Sequence, residues 1–289
     1  MSVLDHENGS LPAATSVGAV HLTVADLHSS LDYYREAIGL QVLDEDGGRA
    51  SLGAGTTELL VLEERPGARP ADGYSGLFHV ALRVPRRADL ARWLAHAARD
   101  RVALTGLSDH YVSEALYLRD PDHHGIEIYA DRPREIWDGQ VRERITTMPL
   151  DTDDLLGELD DPAREPFEGL AESTVMGHVH LRVADLEPTI AFYRDVVGFG
   201  LMATLGRQAA FLSAGGYHHH LGANIWESAG APTAPDDTAT LTHYSVVLPS
   251  AAERDEVVGR LAAAGHEPED SPAGPLVRDP SGIALVLAT

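Results

Sequence analysis

The residues able to do chemistry in this chain are its histidines and carboxylates. No cysteine occurs among its 289 residues, which removes disulfides, thiolate zinc sites, iron–sulfur clusters and cysteine nucleophiles together. Any metal must therefore sit on His, Asp, Glu or water. Glu127 interrupts an Ile-Glu-Ile alternation in GIEIY, and a carboxylate turned inward on such a strand is costly unless it is paired or metal-bound. The alternative is that Glu127 faces solvent. Tyr129 follows by two residues and shares its face, so its hydroxyl either contacts a bound oxygen ligand or is an ordinary core phenol. The triplet His218-His219-His220 offers imidazoles for proton transfer, or is a solvated loop or an adventitious metal tag. His21, His180 and His243, each alone on an apolar strand, read as hydrogen-bonded core or rim residues.

The elements that must position these groups are revealed by an internal repeat. VGAVHLTVADLHSSLDYYREAIGLQVL, from Val17, lies without gaps over MGHVHLRVADLEPTIAFYRDVVGFGLM, from Met176, at an offset of 159 residues. The same offset carries Arg119-Asp120-Pro121 onto Arg278-Asp279-Pro280. Each half divides again. His21-Leu22-Thr23-Val24 alternates as a strand, the stretch from Asp26 to Ile38 has helical spacing, and Gly39 suits the helix end. Short strands follow near 41–43, 49–52 and 59–62. A second unit runs from a strand at 77–84 through a helix at about 88–100 to strands at 114–119 and 125–129. The pattern is βαβββ, in modules at 17–66, 77–133, 176–228 and 241–288. Between the halves, 139–172 is acidic, with Pro149, Pro162 and Pro166 and the short amphipathic piece DTDDLLGEL; it reads as a linker with one helix. Tyr34, Tyr193, Arg35 and Arg194 recur at matching helix positions, which packing and surface ion pairs explain better than catalysis.

Composition narrows the function classes. The formal charge of −23 repels phosphate backbones and anionic bilayers, so neither nucleic acid nor membrane is an expected partner. No apolar run approaches the length of a membrane span. MSVLDHENGSLPAA has no basic region followed by an apolar stretch, which argues against a secretory signal and for a cytoplasmic location.

The repeats, with strand–VADL–helix–FYRDVVGF at the start and YLRDPDHHGIEIY at the close, resemble the vicinal-oxygen-chelate superfamily, which includes glyoxalase, fosfomycin-resistance proteins and extradiol ring-cleaving dioxygenases. The resemblance covers nearly the whole chain outside the linker and termini. The longer strings SDHYVSEALYLRDPD, GIEIYADRPR and FLSAGGYHHHLGANIW are similar to its catechol-2,3-dioxygenase-like branch. The implied fold is α+β, with four βαβββ modules forming two cupped mixed-sheet barrels. Metal ligands in this superfamily come from the first and last strands of a module. The corresponding first-strand positions here are Ala19, His79, His178 and His243; the last-strand positions are Glu127 and Val286, with less certain equivalents near Val61 and Asn224.

Pairing module two with module three gathers His79, Glu127 and His178, with Asn224 at the fourth corner, and leaves modules one and four as a metal-free partner barrel. Two imidazoles and one carboxylate with open positions suit non-haem Fe(II), with Mn, Zn or Ni as alternatives. The resemblance then implies an oxidoreductase of aromatic catabolism: an extradiol dioxygenase that takes a catechol-type diol and O2 and adds both oxygen atoms beside the diol. His220 is the expected proton-transfer residue, with His219 next. His110 and Ser113 are expected near the substrate or behind the ligands, with Tyr129. A glyoxalase-like isomerase or lyase and a metal-free small-molecule binding protein are the rival readings. A homo-oligomer is compatible with the sequence.

Overall fold

Each module opens on a lead strand and closes on a strand that pairs parallel to it, so the helix between them has to cross over. Asp26 caps the first helix, its carboxylate accepting the Ser29 N–H at 2.8 Å, as short acidic side chains do at helix starts. The helix runs Leu27–Tyr33 and then widens into a π turn at Tyr34–Ile38. It ends at Gly39, whose φ of 89° is the left-handed conformation glycine accepts without a Cβ clash. The third module repeats the device with Asp185, a π turn at Phe192–Val197 and Gly198. In the second module the helix Arg87–Asp100 buries Leu90, Ala91, Trp93, Leu94 and Ala97, the i, i+3, i+4, i+7 stripe of a core-facing helix.

A computed structural model describes residues 10–289; residues 1–9, part of the stretch weighed above as a leader, lie outside them. Two large curled mixed sheets dominate the described residues, beside a two-stranded pair of Arg69–Pro70 with Thr238–Ala239. One has the strand order Leu276–Arg278, Ala284–Ala288, Leu241–Val247, Ser16–Val24, Thr57–Glu64, Arg49–Ala54 and Gln41–Asp46. The other runs Met148–Pro149, Gly106–Asp109, Ser113–Arg119, Gly125–Asp131, Gly76–Arg83, Val175–Arg182, Leu221–Asn224, Ala209–Ser213 and Gly200–Leu205. The lead strand of the second module pairs antiparallel with that of the third, and the lead strand of the first with that of the fourth. Modules of the same half meet differently, through helices and turns. The Tyr34 hydroxyl donates to Asp120 at 2.9 Å and that of Tyr193 to Asp279 at 3.1 Å. The Trp93 indole N–H donates to the Ile38 carbonyl at 3.1 Å.

Two departures from the repeat matter. In the fourth module the second strand is reduced to a single bridge between Glu269 and Leu276. The segment joining the halves carries more structure than one helix, because Trp137, Val141 and Leu155 are apolar enough to bury. It forms turns of helix at Arg134–Trp137, Val141–Arg144 and Thr152–Leu156, and an edge strand, Met148–Pro149, paired to Gly106–Asp109. Among the described residues no helix is long and apolar enough to cross a membrane.

Candidate metal centre

Register in the larger sheet sets two adjacent rows of side chains on its concave face. One row runs across four strands as Tyr117, Glu127, Ala81 and His178. The next runs as His79, His180, Gly222 and Phe211. Side chains that stand opposite in neighbouring strands are in contact distance, so His79, Glu127 and His178 converge where the rows meet. The Nε2 atoms of His79 and His178 lie 3.0 and 3.2 Å from Glu127 Oε2 and 3.3 Å from each other. All three side chains are buried. Three adjacent donors about 2.0–2.2 Å from one ion would themselves stand roughly 3 Å apart, so this set fits a divalent cation without rearrangement. Among the described residues this is the group of three such donors within mutual reach.

Protonation agrees with ligation. Burial by itself pushes the Glu127 carboxyl up, but charge and hydrogen bonds from His178 and His79 outweigh it and hold the group well below the usual carboxylate range. Burial brings His178 down to about 4, against the opposing pull of Glu127. A carboxylate and a neutral imidazole are the forms that bind metal.

The ligand atoms open on a cavity of about 340 Å³. Phe78, Phe211, Trp226, Leu205 and Ile145 give it apolar walls, while His110, Tyr117, His180 and His219 bring polar groups to it. His110 Nδ1 faces the Thr146 carbonyl at 2.7 Å and its Nε2 faces the Tyr117 hydroxyl at 2.7 Å. A carbonyl only accepts, so Nδ1 carries the proton and Tyr117 donates to Nε2. Burial, with Glu127 close by, raises the Tyr117 phenol well above its usual value. Thr146 and Thr147, from the segment between the halves, complete this wall.

Several positions differ from the sequence expectation. His220 does not line the cavity; its Nδ1 accepts the Ala214 N–H at 3.2 Å. His219 lines it instead, its ring 4.0 Å from that of His178. The two-residue period of a strand fails here because 218–220 form a bend ahead of Leu221–Asn224. Asn224 is buried outside the cavity, its Oδ1 accepting the Trp226 N–H at 3.2 Å. The fourth corner belongs to Gly222, which stands beside His180 as Glu127 stands beside Ala81. Tyr129 lies behind His178, its hydroxyl 2.8 Å from that of Tyr217, so it faces away from a bound ligand. Ser113 is buried outside the cavity and supports His110 through its backbone carbonyl, which accepts the His110 N–H at 2.9 Å.

Tyr117 was not singled out for the site, though it sits in the SDHYVSEALYL string and pairs directly with Glu127; His180, expected on the inner face with His178 as a core or rim residue, lines the cavity. In the smaller sheet, Ser245 pairs with Val286 as Ala81 pairs with Glu127. His21 and His243 stack there at 3.9 Å, and among the described residues no carboxylate joins them as Glu127 joins His79 and His178.

Comparison with known proteins agrees with this geometry. Residues 16–128 and 175–287 match the family model described as Glyoxalase/Bleomycin resistance protein/Dioxygenase superfamily. The chain is 42% identical over 278 residues to the catechol-2,3-dioxygenase of Bacillus subtilis (strain 168), covering 94% of this chain and 96% of that protein. Glyoxalase I from Zea mays shares the fold at 18% identity and a TM-score of 0.58, over 95% of this chain and 92% of its own. With its tandem modules, register and sequence all in accord, the chain belongs to the glyoxalase/bleomycin resistance protein/dioxygenase superfamily.

Proposed function

We propose that the protein is an extradiol dioxygenase that opens a catechol-type ring, with a divalent metal, Fe(II) by preference, on His79, Glu127 and His178. The observation that carries this is the opening of a buried two-histidine, one-carboxylate donor set onto an aromatic-walled cavity. The 42% identity to a catechol-2,3-dioxygenase over nearly the full chain supports it. Iron held by these donors would supply Lewis acidity toward a diol and redox chemistry toward O2.

The chain's own groups do the rest. Phe78, Phe211 and Trp226 give a flat ring apolar surface and keep bulk water away. His219, beside His178, is the base for a diol proton, since it is the histidine of the triplet that reaches the cavity. Burial with neighbouring imidazoles lowers its pKa well below the usual value, so it is neutral and able to accept. On the opposite wall the His110–Tyr117 pair is oriented by the Thr146 carbonyl and leaves the Tyr117 oxygen as an acceptor for a hydroxyl in the cavity. A single carboxylate among the ligands favours this chemistry over an enediolate-forming isomerase.

The test is oxygen uptake with a panel of catechols, using tag-free protein loaded anaerobically with Fe(II) and then exposed to air. Stoichiometric oxygen consumption with a yellow ring-opened product is expected. Iron-loaded protein that consumes no oxygen with any catechol would refute the proposal.

A further inference from the structure

Behind the cavity wall lies a hydrogen-bonded chain that this reaction has not yet used. His218 is fully buried, yet both its ring nitrogens are engaged. Nε2 lies 2.8 Å from Asp131 Oδ1, and Nδ1 lies 2.8 Å from His219 Nδ1. Asp131 ends the strand that carries Glu127. It also accepts from the Tyr217 hydroxyl at 3.0 and 3.1 Å and from Arg83 Nη1 at 3.2 Å. Tyr217 is joined in turn to Tyr129. The His218 ring stays out of the cavity, whereas His219 lines it.

Counting protons along the chain fixes its polarity. Asp131 is surrounded by donors and lies at the partly exposed end, so its carboxylate only accepts and the His218 proton must be on Nε2. A neutral His218 then presents a lone pair at Nδ1. The 2.8 Å contact between the two Nδ1 atoms is a hydrogen bond only when His219 carries its own proton on Nδ1. That leaves Nε2 of His219 bare. A carboxylate that selects the tautomer of a catalytic histidine through its far nitrogen is a general device; here one imidazole is interposed.

We infer that Asp131 and His218 are positioning residues that hold His219 as its Nδ1–H tautomer, so that Nε2 is the proton acceptor in the cavity. This deepens the dioxygenase proposal and rests on it for the role of His219, but the tautomer itself is a property of the metal-free chain. Replacing Asp131 by Asn tests the direction of the chain. Arg83 and Tyr217 retain an oxygen to donate to, so the amide NH2 turns toward His218 Nε2. His218 must then carry its proton on Nδ1, and His219 on Nε2.

The experiment is nitrogen-15 NMR of histidine-labelled, metal-free protein, with the His219 signals assigned by their loss in His219→Ala. Wild type is expected to show a protonated Nδ1 and an unprotonated Nε2 on His219, and Asp131→Asn the reverse. A wild-type His219 protonated on Nε2, or one unchanged in Asp131→Asn, overturns the inference. In iron-loaded enzyme, Asp131→Asn is expected to lower kcat by about 10²–10⁴-fold, as loss of a general base does, with metal content and KM for catechol held; Asp131→Glu should recover part of it. An unchanged kcat in Asp131→Asn also overturns the inference. Should wild type cleave no catechol, the dioxygenase proposal fails, and the NMR result alone decides the tautomer.

Discussion

At the scale of single residues, the centre reflects an exchange between modules two and three. Their lead strands match residue for residue, so Ala81 corresponds to His180, and their closing strands set Glu127 against Gly222. A small residue at 81 leaves room for the carboxylate. On the other side the His180 imidazole takes that room, since a Cβ added at Gly222 would stand 2.8 Å from its ring atoms. Gly222→Ala is therefore expected to destabilise the fold by about 1–3 kcal/mol, the usual range for overpacking, and to be tolerated when combined with His180→Ala. Denaturant melts of the two single variants and the double variant decide it; equal costs with and without His180 would show that the ring is not the obstacle. The histidine triplet makes a second contrast. His219→Ala should keep its metal and lose about 10²–10⁴ in turnover, while His220→Ala, whose ring accepts the Ala214 N–H beside the Ser213 hydroxyl outside the cavity, should retain both, as assayed by iron content and oxygen uptake side by side. Sequence alone pointed to the triplet but set His220 on the cavity face where the structure sets His219, because strand parity was carried back through a bend.

At the scale of elements, the repeats were legible and their meaning was not. The Arg-Asp-Pro turns and the helix tyrosines recur at the same offset in both halves, yet only the structure shows that they belong to each other. Tyr34 reaches Asp120 and Tyr193 reaches Asp279 across the module boundary, clasping modules that share no sheet. Both acids also organise their own turns: Asp279 accepts the N–H groups of Ser281 and Ile283 at 2.8 and 2.9 Å. Burial nevertheless dominates at Asp279 and lifts its pKa to about 6, against those hydrogen bonds. A carboxyl whose pKa is raised on folding binds its proton more tightly in the folded state. Its contribution is thus full below the unfolded value near 3.8 and is lost as pH rises through about 6. Asp279→Asn should lack this slope, so the difference in unfolding free energy between wild type and variant should move in the variant's favour between pH 4 and pH 7. A difference that stays constant over that range would mean Asp279 is ionised in the folded protein. The segment between the halves was legible as acidic and proline-bearing, but its threonines at 146 and 147 form part of the cavity wall. Polar composition hid that role, since Trp137 and Val141, which anchor the segment, are single apolar residues without periodicity.

At the scale of the whole molecule, the four modules divide labour by a crossed arrangement. Each sheet takes one module from each half, so neither half alone holds the donor set. The complementary substitutions, Ala19 against His178 and Val286 against Glu127, could be seen in the sequence, because ligand positions in a duplicated unit can be compared directly. What could not be seen was the exact fourth corner, since Asn224 and Gly222 share a face and only register separates them. The proposed metal centre is a single site shared between the halves by His79, Glu127 and His178. Its most direct test is elemental analysis of tag-free wild type, His178→Ala and His243→Ala after loading with Fe(II) and desalting. One metal per chain is expected in wild type and in His243→Ala, and none in His178→Ala. Full occupancy in His178→Ala, or loss of metal in His243→Ala, would rule out a centre shared in this way.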